Sequence, residues 1–352
     1  MDTTNGLRNR TLNDIYCPSQ GDTIVSIKPK SGSYLILALL VFTGGCSVMK
    51  HKMPPLANIE GVSRHFTIGQ IIGLEKGEAL SFDQMVGRLE SSDLIFIGEV
   101  HDNPEHHLLQ VQILQELMSR RGPLTVAMEF FQKMQQPAID QYLAGACTES
   151  EFLKAVDWDN QWSFDYSLYR PLMLAVKDKG GKILAINAQN DIVKKVARSG
   201  LDNLSADERS VLAADIDLGN EKHRAYLYDI FNNEAHKYLQ NFDYFYQAQC
   251  VWEDTMAETI AGSLKNAQRP VVVFVGNGHI VNKFGIPDRI TKRTPAKMAT
   301  IMLTPIEGQL TLARETSDYV WLTGACSRRS VLFHHRHHQE NNENPLRTGP
   351  MP

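Results

Sequence analysis

The chain lacks a long hydrophobic run. Its most apolar stretch, SYLILALLVF at residues 33–42, is about half the length of a membrane-crossing helix. Cysteine is sparse: Cys17, Cys46, Cys147, Cys250 and Cys326 are scattered and odd in number. They make neither a disulfide framework nor a CxxC zinc site. Neither sign of charge dominates, with 36 Lys and Arg against 40 Asp and Glu and a net charge of −4. No broad basic field invites nucleic acid. No internal repeat is present. What is there is a globular composition: 352 residues, 43% hydrophobic and 22% charged, enough for one large or two ordinary domains.

The ends differ from the middle. Residues 1–32 are polar and irregular. Lys28-Pro29-Lys30, the apolar run and Thr43-Gly44-Gly45 before Cys46 follow a signal-peptide pattern. Small residues directly before a cysteine are expected to mark a bacterial lipoprotein leader, with Cys46 carrying the lipid. Residues 1–46 are then leader and 47–77 a linker with Pro54-Pro55. The folded domain is expected over 78–325, with 189–262 as a helical insert or lid. Residues 326–352, with His334, His335, His337 and His338, read as a disordered tail.

The middle is organised around residues 91–118. Leu94 to Ile97 form an apolar run without polar alternation, as expected of a strand buried on both faces. Glu99, His101 and Asp102 follow Gly98, and Asn103-Pro104 begins a helix. His106 and His107 fall in its first turn and read as neutral surface or supporting residues. Further strands are expected at 124–128, 182–186, 271–275, 299–303 and 319–322. The aromatic stretch 158–174 is expected to enter a helix around Pro171. Strands separated by helices predict an α/β fold, a mostly parallel sheet flanked by helices.

In such a sheet, chemistry gathers at the carboxyl ends of the strands. Those ends deliver Glu99 and His101, then Glu129, then Asn187, then His279 after Gly276-Asn277-Gly278. Two imidazoles with two carboxylates suit a divalent metal. They suit acid–base chemistry equally.

The motifs IFIGEVHDNPEHHLLQ, VAMEFF, Trp158/Trp162/Tyr169-Arg170-Pro171, AQCVWEDTMAETI and VVVFVGNGHIVNKFGIP resemble, in order over residues 80–325, the ChaN-like haem-binding uptake proteins of the Tiki superfamily. The resemblance implies a secreted or lipid-anchored envelope protein in haem or iron uptake. It also implies haem as ligand, a homodimer that sandwiches it, and an outer-membrane haem receptor as partner. Other superfamily members are metal-dependent hydrolases, which share the positions of Gly98, Glu99, His101, Glu129, Gly276 and His279 here. The alternative is therefore a protease- or esterase-type hydrolase with Glu99, His101, Glu129 and His279 as catalytic or metal-binding residues. After the third strand the family often has Asn, a small residue, Pro and Arg, where this chain has Asn187-Ala188-Gln189-Asn190.

Haem needs an apolar slot and an axial ligand. Tyr238, Phe242, Tyr244, Phe245, Tyr246 and Trp252 are dense enough to offer both. Tyr244 and Tyr246 are the first candidates for the iron ligand and Tyr238 the next. The same residues follow helical spacing and fit a core stripe as well.

Overall fold

A computed structural model of the chain describes residues 54–233 and 241–325. Cys46, Tyr238 and the histidine-rich tail lie outside the described residues, as does the leader. The first strands are β1 (Leu56–Ile59), β2 (His65–Phe66), β3 (Ile71–Gly73) and β4 (Glu78–Leu80). They are followed by β5 (Leu94–Glu99), β6 (Thr125–Gln132), β7 (Lys182–Asn187) and β8 (Val271–Gly276). The last are β9 (Met298–Ile306), β10 (Gln309–Leu312) and β11 (Tyr319–Gly324). The first six α-helices are α1 (Phe82–Leu89), α2 (Pro104–Arg121), α3 (Gln136–Leu143), α4 (Glu149–Ala155), α5 (Trp158–Gln161) and α6 (Tyr166–Asp178). After them come α7 (Asn190–Ser199), α8 (Ala206–Ser210), α9 (Glu221–Asn233), α10 (Phe242–Ser263) and α11 (Ile286–Arg293).

The main sheet has eight strands in the order β4-β3-β11-β9-β5-β8-β6-β7. It is parallel from β11 to β7, and β3 and β4 extend it antiparallel. β5 shows why the sheet is sandwiched. Leu94 and Phe96 pack with α7, α10 and α11, through Val193, Val251, Met256 and Ile290 among others. Ile95 and Ile97 pack with α1, α2 and α6, through Val86, Leu114, Leu117 and Leu172. A period of two with both faces covered leaves no polar position from Leu94 to Ile97.

From Leu56 onward, the stretch expected as a linker up to residue 77 is instead built into sheets. β1 pairs with β10 in parallel, and β3 pairs with β11. Ala57, Ile59, Phe66, Ile72 and Leu74 are fully or almost fully buried. Strands of two to four residues are too short to show a period, so only their long-range pairing defines them. Within the helical segment 189–262, α7 and α10 lie on the sheet. By contrast, α9 meets the start of α10 around a separate small cluster of Leu227, Phe245, Tyr246 and Cys250.

Local caps place the site-bearing turns. The Asn103 side chain accepts from the Glu105 amide at 3.0 Å and Pro104 opens α2, which fixes where β5 hands over to helix. Helix α6 begins at Tyr166, ahead of the expected entry at Pro171, because Asp165 caps it by accepting from Ser167 N at 2.8 Å. At the outer edge of the sheet, the Gln136 carboxamide donates to the Ile183 carbonyl and accepts from the Ala185 amide, each at 2.8 Å.

A closed Glu/His chain and an open aromatic corner

The parallel strands bring Glu99, His101, Glu129, Asn187 and His279 to one edge, and all five are buried. Two glycines make room. A Cβ on Gly98 would collide with Asn277 and Ile280, and one on Gly276 would lie 2.9 Å from His101 Nε2. Asn187 is a brace: its Nδ2 donates to the Glu129 carbonyl at 2.8 Å, tying the end of β7 to β6.

The four ionisable residues form one chain of contacts. His101 Nδ1 lies 2.7 Å from Glu99 Oε1, and its Nε2 faces Glu129 Oε1 at 4.0 Å. From the other side, His279 Nε2 is 3.3 Å from the same Glu129 oxygen. The second Glu129 oxygen accepts from the Gly276 amide at 2.6 Å. So two imidazoles flank one carboxylate, and each is held from behind at Nδ1 by a carboxylate of its own. For His101 that is Glu99. For His279 it is Glu253, at 3.2 Å.

Glu253 was missed as a site residue, and so were Arg289 and His223 beyond it. It projects from the middle of α10, fully buried, and its other oxygen meets Arg289 Nη1 at 3.1 Å and His223 Nε2 at 3.5 Å. Arg289 also reaches Asp254, which in turn pairs with Arg293. A signal was available: Glu253-Asp254 sits between Cys250, Val251, Met256 and Ala257, so no turn of that helix leaves the two acids a polar face. At the opposite end, His107 Nδ1 approaches Glu99 at 3.3 Å and the Tyr169 hydroxyl donates to Glu99 at 3.2 Å. His106 and His107 are thus buried rather than on the surface. Trp162 and Phe164, both 5.1 Å from the His101 ring, pack against it.

The charges sustain one another. Burial alone would raise the Glu99 carboxyl, but His107 and then His101 outweigh it and hold it at about 2. Burial alone would depress His279, but Glu129 and then Glu253 outweigh it and lift it to about 10. For His106, burial outweighs the pull of Glu99 and pushes it down to about 3. The donor atoms are turned on each other. Among the described residues no group of three or more His, Cys, Asp or Glu side chains is arranged to hold a metal ion. An imidazole held at Nδ1 by a carboxylate presents Nε2 as an acid or a base.

The tyrosine candidates lie elsewhere, at the start of α10. Tyr246 is buried, with its hydroxyl donating to the Asn220 carbonyl at 3.2 Å, and burial pushes its pKa upward. Tyr244, half-buried, packs its ring against Gly200, where a Cβ would come within 2.7 Å of it. Phe242 joins Tyr246, Phe231 and Tyr228 in a corner between α9 and α10, with ring centroids 5.0 to 6.2 Å apart.

The model of the family described as haem-binding uptake, Tiki superfamily, ChaN matches residues 85–290. The chain belongs to this family. The ChaN family also supplies a solved structure of similar fold, that of cofacial haem binding to ChaN of Campylobacter jejuni. It aligns with a TM-score of 0.57 at 22% identity, covering 71% of this chain and 95% of that one. An erythromycin esterase, EreC, in its open conformation gives 0.40 at 14% identity over 68% of this chain and 77% of that one, too low a score to carry an argument. The chloroplastic protein RETICULATA-RELATED 5 of Arabidopsis thaliana is 24% identical over 270 residues. That match covers 68% of this chain and 36% of the plant protein, so the ChaN-family chain spans about a third of that relative.

Proposed function

We propose that this ChaN-family chain binds haem in the aromatic corner between α9 and α10 and serves haem or iron uptake in the cell envelope. The observation that carries the reading is the corner itself, within a chain of a family described as haem-binding. Aromatic rings line it, Tyr228 is 50% exposed, and the Arg224 guanidinium lies 4.9 Å from the centre of the Phe242 ring. Aromatic rings, a phenol and a cation match what a ferric porphyrin with two carboxylates requires: a π surface, a hard oxygen ligand and a counter-charge. Bound there, haem would supply a ferric iron for the phenol oxygen to hold.

Titrating the full chain with hemin tests this. A saturable Soret shift with a tyrosinate charge-transfer band is the expected outcome, and a featureless titration would refute it. The finer reading adds a lipid on Cys46, a homodimer and an outer-membrane haem receptor. It expects recovery in the membrane fraction that Cys46→Ala abolishes.

A second reading is favoured by one feature of the strand-end chain. Glu129 stands between two imidazoles, each oriented at Nδ1 by a carboxylate, which suits a hydrolase acting through Glu99, His101, Glu129 and His279. Ester and peptide hydrolysis assayed with divalent metals and with EDTA tests it, and inactivity in every condition would count against it.

A further inference from the structure

We propose that residues 159–164 form a strap over the strand-end chain, and that the strap opens to admit a small molecule to His101. The proposal bears on the hydrolase reading but does not rest on it, because it concerns access alone. His101 and Glu129 are only 6% and 5% exposed. Over His101 lie the rings of Trp162, edge-on, and Phe164, each 5.1 Å from its own. Phe164 is half-buried and Ser163, between the two, is exposed. This short stretch therefore stands between the imidazole and water.

The stretch is anchored at its ends and lightly held between them. At the near end, the Trp158 ring is buried among Phe130, Phe131, Tyr166 and Tyr169, with centroids 5.1 to 6.1 Å away. At the far end, Asp165 caps α6. Between them, α5 is a single turn, too short to be stable by itself. The amides of Asn160, Gln161 and Trp162 turn back to the carbonyls of Asp157 and Trp158. Asp157 takes a left-handed φ of 50°, uncommon without glycine.

Three side-chain bonds hold the strap shut. Gln132 Nε2, at the end of β6, donates to Gln161 Oε1 at 2.7 Å. Asn190 Nδ2, at the start of α7, donates to the Gln161 carbonyl at 2.8 Å. The Trp158 indole donates to the Phe164 carbonyl at 2.9 Å. A swing of residues 159–164 about Trp158 and Asp165 breaks these bonds and lifts both rings from His101, with Trp158 and α6 left in place. Segments held by few bonds open locally at a fraction of the free energy of global unfolding.

The test treats the full chain with diethyl pyrocarbonate and follows modification of each histidine by mass spectrometry. His223, fully buried on the far side of Glu253, is the internal control. The double variant Gln161→Ala/Asn190→Ala removes the bonds from Gln132 and Asn190. It is expected to speed modification of His101 by about fivefold or more, the scale of one hydrogen bond, and to leave His223 at its wild-type rate. An unchanged His101 rate overturns the proposal, and so does an equal rise at His223, which would mean that the whole fold has loosened. Hydrogen exchange of the wild type is the second measurement and needs no variant. The amides of residues 162–164 should exchange about tenfold or more faster than those of β6, and equal rates overturn the proposal. Neither readout uses activity, so a chain that hydrolyses nothing leaves the strap standing.

Discussion

The strand-end chain and the aromatic corner handle charge and hydroxyl groups in opposite ways. At the strand ends, from His107 through Glu253 to Arg289, each ionisable side chain is buried and engaged by a neighbour of complementary charge. In the corner, Tyr228 and Arg224 are partly exposed, and the pair with Asp243 faces solvent. Closed networks fix a fold, because removing one member strands another in a medium of low dielectric. Open ones can exchange a partner for a ligand. The difference explains why the most concentrated cluster of reactive residues need not be where a large ligand sits.

Breaking the closed network should cost most. Arg289→Met removes the guanidinium that Glu253 and Asp254 share and is expected to lower stability by about 3–5 kcal/mol, read as the shift in urea midpoint. An effect under 1 kcal/mol would mean that water already reaches the pair. The next largest effect is on pH dependence. Glu99, held at about 2 against an ordinary 4.5, contributes stability that is complete above pH 4.5 and fades as pH falls toward 2. His279, raised from 6.5 to about 10, contributes stability that is complete below pH 6.5 and fades as pH rises through 10. Unfolding free energy measured across this range should have a shallower acid slope in Glu99→Gln and a shallower alkaline slope in His279→Gln. Tyr246→Phe, which removes one hydroxyl bond to Asn220, should cost about 1 kcal/mol. Tyr228→Phe should change stability by less than about 0.5 kcal/mol, as exposed substitutions do. If the last two reverse in order, the corner is a structural core and not an open site.

Much of the fold was legible because β5 to β8 are apolar runs ended by Gly98, Glu129, Asn187 and Gly276, and the parallel order then carries Glu99, His101, Glu129 and His279 together. What stayed hidden came from two causes. β1 to β3 are too short to show a period, and only pairing with β10 and β11 makes Leu56–Gly73 structure rather than linker. Glu253, His223 and Arg289 lie on helices, where a charged residue ordinarily faces water. Their convergence depends on how α9, α10 and α11 pack, which no local pattern encodes. Residues 238 to 252 drew attention for their aromatics, yet Tyr228 and Phe231, whose rings meet Phe242, lie on the preceding helix.

The Gln136 carboxamide has a consequence for assembly. One of its N–H groups and its oxygen answer the Ile183 carbonyl and the Ala185 amide as a neighbouring peptide unit would. To an approaching strand, that stretch of β7 already reads as occupied. Two copies of this molecule cannot join their sheets there without first dislodging that side chain. Any association of two copies would have to use another surface.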